Sequence, residues 1–315
     1  MKTKRNVSIG KSLLQYGVYI AFVIIVLVLG MMSKNFFTIS NLLNVLRQVS
    51  FNGILALGMT FVIITGGIDL SVGSTVAMAG LIALSLSIEE KHIPLVVALA
   101  AGLGVGLLIG FINGVLIAKA KLAPFIVTLS TMTIVRGLAL VYCNGRPITR
   151  PSDGYSFIGQ GYLFGISIPI YVYVVLIIIC VILLHFNIFG RHVLAVGGNE
   201  DAARASGLKT DRIKIEVYML SGLFSAVVGI VLSSRANAAS PISGEGYELN
   251  AIAASVIGGV SMTGGIGAIY GTVIGAMIIG VLSNGLDLLN VSSYYQQIIK
   301  GLIILVAVLM DKKSK

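Results

Sequence analysis

Apolar runs of membrane-spanning length follow one another along almost the whole chain, and this pattern leaves few folds open. A bilayer core takes about 20 apolar residues per helix. Runs of roughly that kind fall at about 12–32, 50–66, 71–88, 94–118, 124–142, 169–187, 214–233, 250–263, 267–285 and 294–310. They predict an all-α polytopic membrane protein of about ten transmembrane helices, some short or broken. Pro94, Pro124 and Pro169 stand at the first turns of three of them, where a missing N–H costs little. Composition agrees: 57% of the 315 residues are hydrophobic and 11% charged, against about a quarter charged in a soluble domain. No polar stretch is long enough to fold alone, so 1–315 reads as one transmembrane domain with its bundle over 12–310.

Lys2, Lys4, Arg5 and Lys11 followed by the apolar run 13–32 imitate a secretory signal. That run is too long, and no small-x-small cleavage site stands near Gly30 to Lys34, so it is expected to remain as the first span. Basic residues orient the rest. With the N-terminus in the cytoplasm, the inner segments collect Lys119, Lys121, Arg191, Arg204, Lys209, Arg212, Lys214, Lys312, Lys313 and Lys315. An even number of spans with both termini cytoplasmic fits, and the net charge of +10 is then topogenic, with no nucleic-acid partner required.

Between two span-length runs, 190–214 carries the segment GGNEDAARASGL. Asn199 is a favoured N-cap, Glu200 and Asp201 oppose the helix dipole in the first turn, and Gly207 suits a left-handed C-terminal position. The predicted helix has about eight residues, roughly 12 Å, and one so short is marginal alone in water. Docking onto a partner would hold it, and the charge pattern places that partner in the cytoplasm.

Glycine recurs at helical spacing at Gly102, Gly106, Gly110 and Gly114, and again at Gly267, Gly271 and Gly275. Such rows let helix backbones approach closely in lipid; the rarer alternative is that one lines a path at a dimer axis. Gly66-Gly67-Ile68 and Gly264-Gly265-Ile266 hint at a duplication with broken helices, although the intervals do not align cleanly.

Asp69, in TGGIDLSVGS, is a carboxylate within an apolar region, which marks it as a candidate pathway group. The competing reading makes Asp69 or Ser71 the cap of a helix beginning near Leu70. Arg136 and Lys300 lie within spans near enough to an end to snorkel. Glu245 and Glu248 are expected on the outside, either solvated or docking an extracellular partner.

Nothing catalytic is found. Gly10-Lys11-Ser12 imitates the end of a phosphate loop, but its first glycine would have to stand where Arg5 does. Cys143 and Cys180 form no metal or disulfide pattern. No cofactor is expected on this chain.

The segments NFFTISNLLNVLRQVSFNGILALGMTFVIITGGIDLSVGS, FGRHVLAVGGNEDAARASGL, GEGYELNAIAASVIGG and SSYYQQIIKGLIILVAVLMDKK together resemble the permease subunits of bacterial ABC importers for monosaccharides, ribose permeases above all. The resemblance implies a bacterial cytoplasmic (inner) membrane protein that pairs with a second permease copy. It also implies a cytoplasmic ATP-binding subunit that uses ATP and Mg, and a periplasmic or lipid-anchored sugar-binding protein. It makes Glu200, Asp201, Ala202, Ala203, Arg204 and Gly207 the coupling helix. Alternatives are a permease of this family for another sugar, polyol or autoinducer, and an ion-coupled secondary sugar transporter using Asp69.

Overall fold

The computed structural model describes residues 9–313, with backbone alone at 9–16, 304 and 306–313. Lys2, Lys4, Arg5 and Lys315, which bear on the expected sidedness of the termini, lie outside the described residues, as do the side chains of Lys11, Lys312 and Lys313. The described chain is a helical bundle. Six of its helices are long and apolar enough to cross a membrane, and three shorter apolar helices accompany them.

Two helices form the centre. Helix α2 (Ile39–Ile64) is the more enclosed, and α10 (Thr210–Ala236) lies against it. Thr38 opens α2 by accepting from Asn41 N, so the second span, expected from about 50, begins at Ile39. Around this pair stand α3 (Val72–Leu86), α4 (Leu95–Ala118), α11 (Tyr247–Ile257) and α12 (Ile269–Leu288). Helices α1 (Ile9–Met32), α5 (Pro124–Tyr142), α7 (Ile168–Val181) and α13 (Ser293–Lys313) are outermost. Exposed Val174, Val175, Ile178 and Ile179 give α7 a face of the kind lipid covers.

The glycine rows sit at close helix crossings. A Cβ on Gly106 would overlap Gly222 O, one on Gly110 would overlap Tyr218 O, and one on Gly114 would meet Ile215 Cα at 2.7 Å, so α4 runs antiparallel along α10. In the same way Gly271 faces Gly258 O and Gly275 faces Ala254 O, closing α11 onto α12. Reciprocal amide bonds of 3.0 and 2.9 Å between Asn41 and Asn284 tie α2 to α12.

Two elements depart from the sequence expectation. The expected span at 250–263 is an 11-residue helix, α11, about 16 Å long, and cannot cross a bilayer alone. Hydropathy joins AIAASVIGGVSM into one run, but Gly259 takes φ +86° and turns the chain. The 144–168 segment, which falls between two expected spans, contains the helix α6 (Asp153–Gln160). Its Gly159 N donates to Ser234 Oγ at 2.7 Å, and its Tyr155 hydroxyl meets Ser233 Oγ at 2.7 Å, so it lies across the end of α10.

Candidate functional site

At the opposite end of α10, the chain leaves α7 through a π-turn (Ile182–Phe186), enters α8 (Ile188–Gly198) and then the short helix α9 (Glu200–Ala205). Asn199 Oδ1 accepts from Ala202 N at 2.9 Å, and Gly207 takes φ +86° where Gly207 N bonds Arg204 O and Leu208 N bonds Ala203 O. The helix is six residues long, shorter than its sequence boundaries. Ala203 is its buried anchor, while Asp201, Ala202, Ala205 and Ser206 are exposed.

Charge braces α9 to the start of α10. Arg204 donates to Glu200 at 3.2 Å and to Asp211 at 2.7 Å, and Lys214 donates to the second oxygen of Glu200. Partial burial pushes the Glu200 pKa up, but Lys214 and Arg204 outweigh it and hold the carboxyl below its ordinary value. Arg204 is therefore engaged within the chain, and the free face is the small, weakly charged one around Ala202 and Ala205. Beside it opens a cleft of ≈ 560 Å³ lined among others by Lys119, Lys209, Arg212 and Met219.

The helix is tied to the bundle through Gly197, next to its cap. A Cβ on Gly197 would overlap Ile64 O, the last carbonyl of α2, and would lie 2.6 Å from Gly265 N. Gly265 N itself donates to Ile64 O at 2.9 Å. Three Gly-Gly pairs, 66–67, 197–198 and 264–265, thus come together at one point. No sequence signal predicts this meeting, because the pairs are far apart in the chain.

From this junction 65–71 rises to α3. Asp69 is buried: its Oδ1 accepts from Ser71 N at 3.0 Å and Ser71 Oγ at 2.6 Å, and its Oδ2 accepts from Ser221 Oγ at 2.7 Å. Ser71 occupies the cap position of α3 but its side chain makes no cap bond; Asp69 supplies the acceptor. The chain of bonds continues from Asn113 Nδ2 to Ser71 Oγ at 2.9 Å and from Thr131 Oγ1 to Asn113 Oδ1 at 2.7 Å. Asn113 and Thr131 were missed by the sequence reading, although a polar residue within an apolar helical run is the signal that finds them.

Glu245 and Glu248, the candidate docking residues, stand apart in exposure: Glu245 is exposed and Glu248 is half-buried. The chain after α10 turns back between helices, so that Gly73, in the first turn of α3, has Gly244 O and Glu248 Oε2 directly against it. Glu248 lies in the first turn of α11, where a negative charge suits the helix dipole. Arg136, expected to snorkel, instead turns inward and donates to Pro241 O and, at 3.0 Å, to Ser243 O. It holds the returning segment by its carbonyls.

Broken helices whose ends meet inside an apolar bundle define a multi-pass α-helical membrane protein of the transport type. The model of the permease component of branched-chain amino acid transport systems matches residues 41–308, and the chain belongs to that family. The ribose import permease protein RbsC of Bacillus subtilis is 48% identical over 300 residues, 95% of this chain and 92% of that protein. RbsC of Haemophilus influenzae is 46% identical over 311 residues, 97% and 95% of the two chains. The L-arabinose transport system permease protein AraH of Escherichia coli K12 is 40% identical over 310 residues, 98% and 94% of the two. No solved structure matches the chain.

Proposed function

We propose that this chain is the membrane permease subunit of an ATP-driven importer that carries ribose across the bacterial cytoplasmic membrane. Two copies would form the pathway, with a cytoplasmic ATPase on α9 and a sugar-binding protein at the α6 end. The relatives named for ribose import, alike over nearly the full length, support the substrate.

The observation that carries the mechanism is the glycine junction beneath α9. Closure of the ATPase subunits would displace α9, and Gly197 in direct backbone contact with Ile64 and Gly265 would pass that displacement to both helix breaks at once. Packed backbones shift between discrete arrangements rather than yield continuously. ATP and Mg belong to the partner, and the binding protein would bias the outward state by contacting the two states differently.

The test is reconstitution in vesicles with a candidate ATPase and a ribose-binding protein. Ribose uptake should require all three components and ATP, and the chain alone should hydrolyse none. Uptake by the chain alone on an ion gradient would overturn the assignment in favour of a secondary transporter. Because AraH proteins are also similar, L-arabinose is the second substrate to try, delivered by its own binding protein.

A further inference from the structure

The depth of Glu245 can be read from α10. After Asp211, Arg212, Lys214 and Glu216, this helix carries no charged residue until Arg235. The uncharged stretch 217–234 is roughly 27 Å long, close to a bilayer core. Ser221 meets Asp69, and Gly229 packs on Val76 O, so Gly73 stands level with the middle of that stretch. The contacts of Gly73 with Gly244 and Glu248 then put 244–248 near mid-bilayer.

Three carboxylates lie in this central region, and two have a structural task. Asp69 accepts from the backbone at the start of α3, and Glu248 places its charge in the first turn of α11 against the helix dipole. Glu245 serves neither, is exposed, and belongs to no ion pair among the described residues. Arg136, which interacts with it electrostatically, spends its hydrogen bonds on Pro241 and Ser243. An exposed carboxylate at mid-bilayer cannot face hydrocarbon without a cost of several kcal/mol, so its surface must face water or polar groups. On α5, Ser130 and Thr133 are exposed and a Cβ on Gly137 would meet open space; exposed Ile126, Ile134 and Val141 flank them, but the exposed face of α7 carries Val and Ile with no such polar or open positions among them.

We propose that Ser130, Thr133 and Gly137 of α5, together with Glu245, line the translocation path, and that Glu245 accepts hydrogen bonds from the hydroxyls of a neutral sugar passing mid-bilayer. This rests on the transport reading above, and it adds the residues that meet the substrate. A carboxylate presents two oxygens to adjacent hydroxyls, which suits a polyol carrying no charge. Arg136 close by offsets part of the negative charge of Glu245 and Glu248.

The test uses the assembled transporter in vesicles, with Cys143→Ser and Cys180→Ser as background. Glu245→Cys and Thr133→Cys are exposed to a charged, membrane-impermeant thiol reagent, with Val175→Cys on α7 as the lipid-facing control. Both path positions should react at least about tenfold faster than position 175; equal, slow reaction would overturn the proposal. In the second arm, Glu245→Gln should keep ATPase stimulation by the binding protein but lower sugar taken up per ATP by about tenfold, the scale of one charge-assisted hydrogen bond. An unchanged ratio would remove Glu245 from sugar contact. The labelling arm contains no sugar, so a wrong substrate would show as absent wild-type uptake while the path is still judged by reactivity.

Discussion

At the break between α2 and α3, Gly66 N and Gly67 N close on Ile63 O and Val62 O, and from there side chains take over: Asp69, Ser71, Ser221, and beyond them Asn113 and Thr131. At the break between α11 and α12, the freed backbone is met by backbone. Ser261 N donates to Ile266 O, Gly264 N to Ser261 O, and Gly265 N to Ile64 O, with Gly259, Gly264 and Gly265 all at positive φ. Buried polar groups without partners are costly in lipid, so both breaks must be satisfied. The first break carries its own partners deep in the bundle. The second borrows a carbonyl from the end of the first, so it depends on α2 and on Gly197 staying where they are. A moving α9 should therefore disturb the second break more readily than the first.

The sharpest way to break this comparison is Gly197→Val. The added atoms would overlap Ile64 O and crowd Gly265 N. Overpacking of side chains costs roughly 1–3 kcal/mol, and a backbone contact has less freedom to yield. Uptake should fall by more than about tenfold, whether through misassembly or lost coupling. Gly198→Ala is the matched control, because a Cβ there meets open space. Normal uptake with Gly197→Val at normal membrane levels would separate α9 from both breaks.

Next in size is removal of the Asp69 carboxylate. Asp69→Ala leaves Ser71 N and the Ser221 hydroxyl without their acceptor, at about 1–3 kcal/mol for each buried group. Asp69→Asn keeps one oxygen for Ser71, and the Ser221 hydroxyl can turn to accept from the amide, so it should lose much less. The midpoint of thermal unfolding in detergent should follow wild type > Asn > Ala. If Asp69→Asn keeps the midpoint yet abolishes uptake, the charge itself works in the pathway and the cap reading fails.

How much of this was legible in the sequence divides along the same line. Helix α9 could be read because Asn199 and Gly207 act within one turn of their own backbone. The close crossings at Gly106 and Gly271 could be read because spacing alone puts small residues on one face. The depth of Glu245 and Glu248 could not, since hydropathy assigns a charged stretch to water whether it stays outside or descends beside α3. The Gly197 contact was equally hidden, because it joins residues near 64, 197 and 265, and no local pattern records a long-range approach. The similarity of the two GGI sequences hints at a duplication and says nothing of where 197–198 lies.

The smallest effect concerns the brace that sets α9 against α10. Glu200 is held below its ordinary pKa by Lys214 and Arg204 despite partial burial. A depressed carboxyl stabilises the folded arrangement at pH above its unfolded value, about 4.3, and that contribution disappears as pH falls through the lower folded value. Glu200 keeps 34% of its side-chain surface exposed, so the brace is worth no more than about 1 kcal/mol. Backbone hydrogen exchange across α9 should therefore quicken modestly relative to α10 below about pH 4, once corrected for intrinsic rates. With Glu200→Gln it should already be quick at pH 7 and show no such step. A step that persists in Glu200→Gln would mean that the Glu200 brace does not set the acid sensitivity of α9.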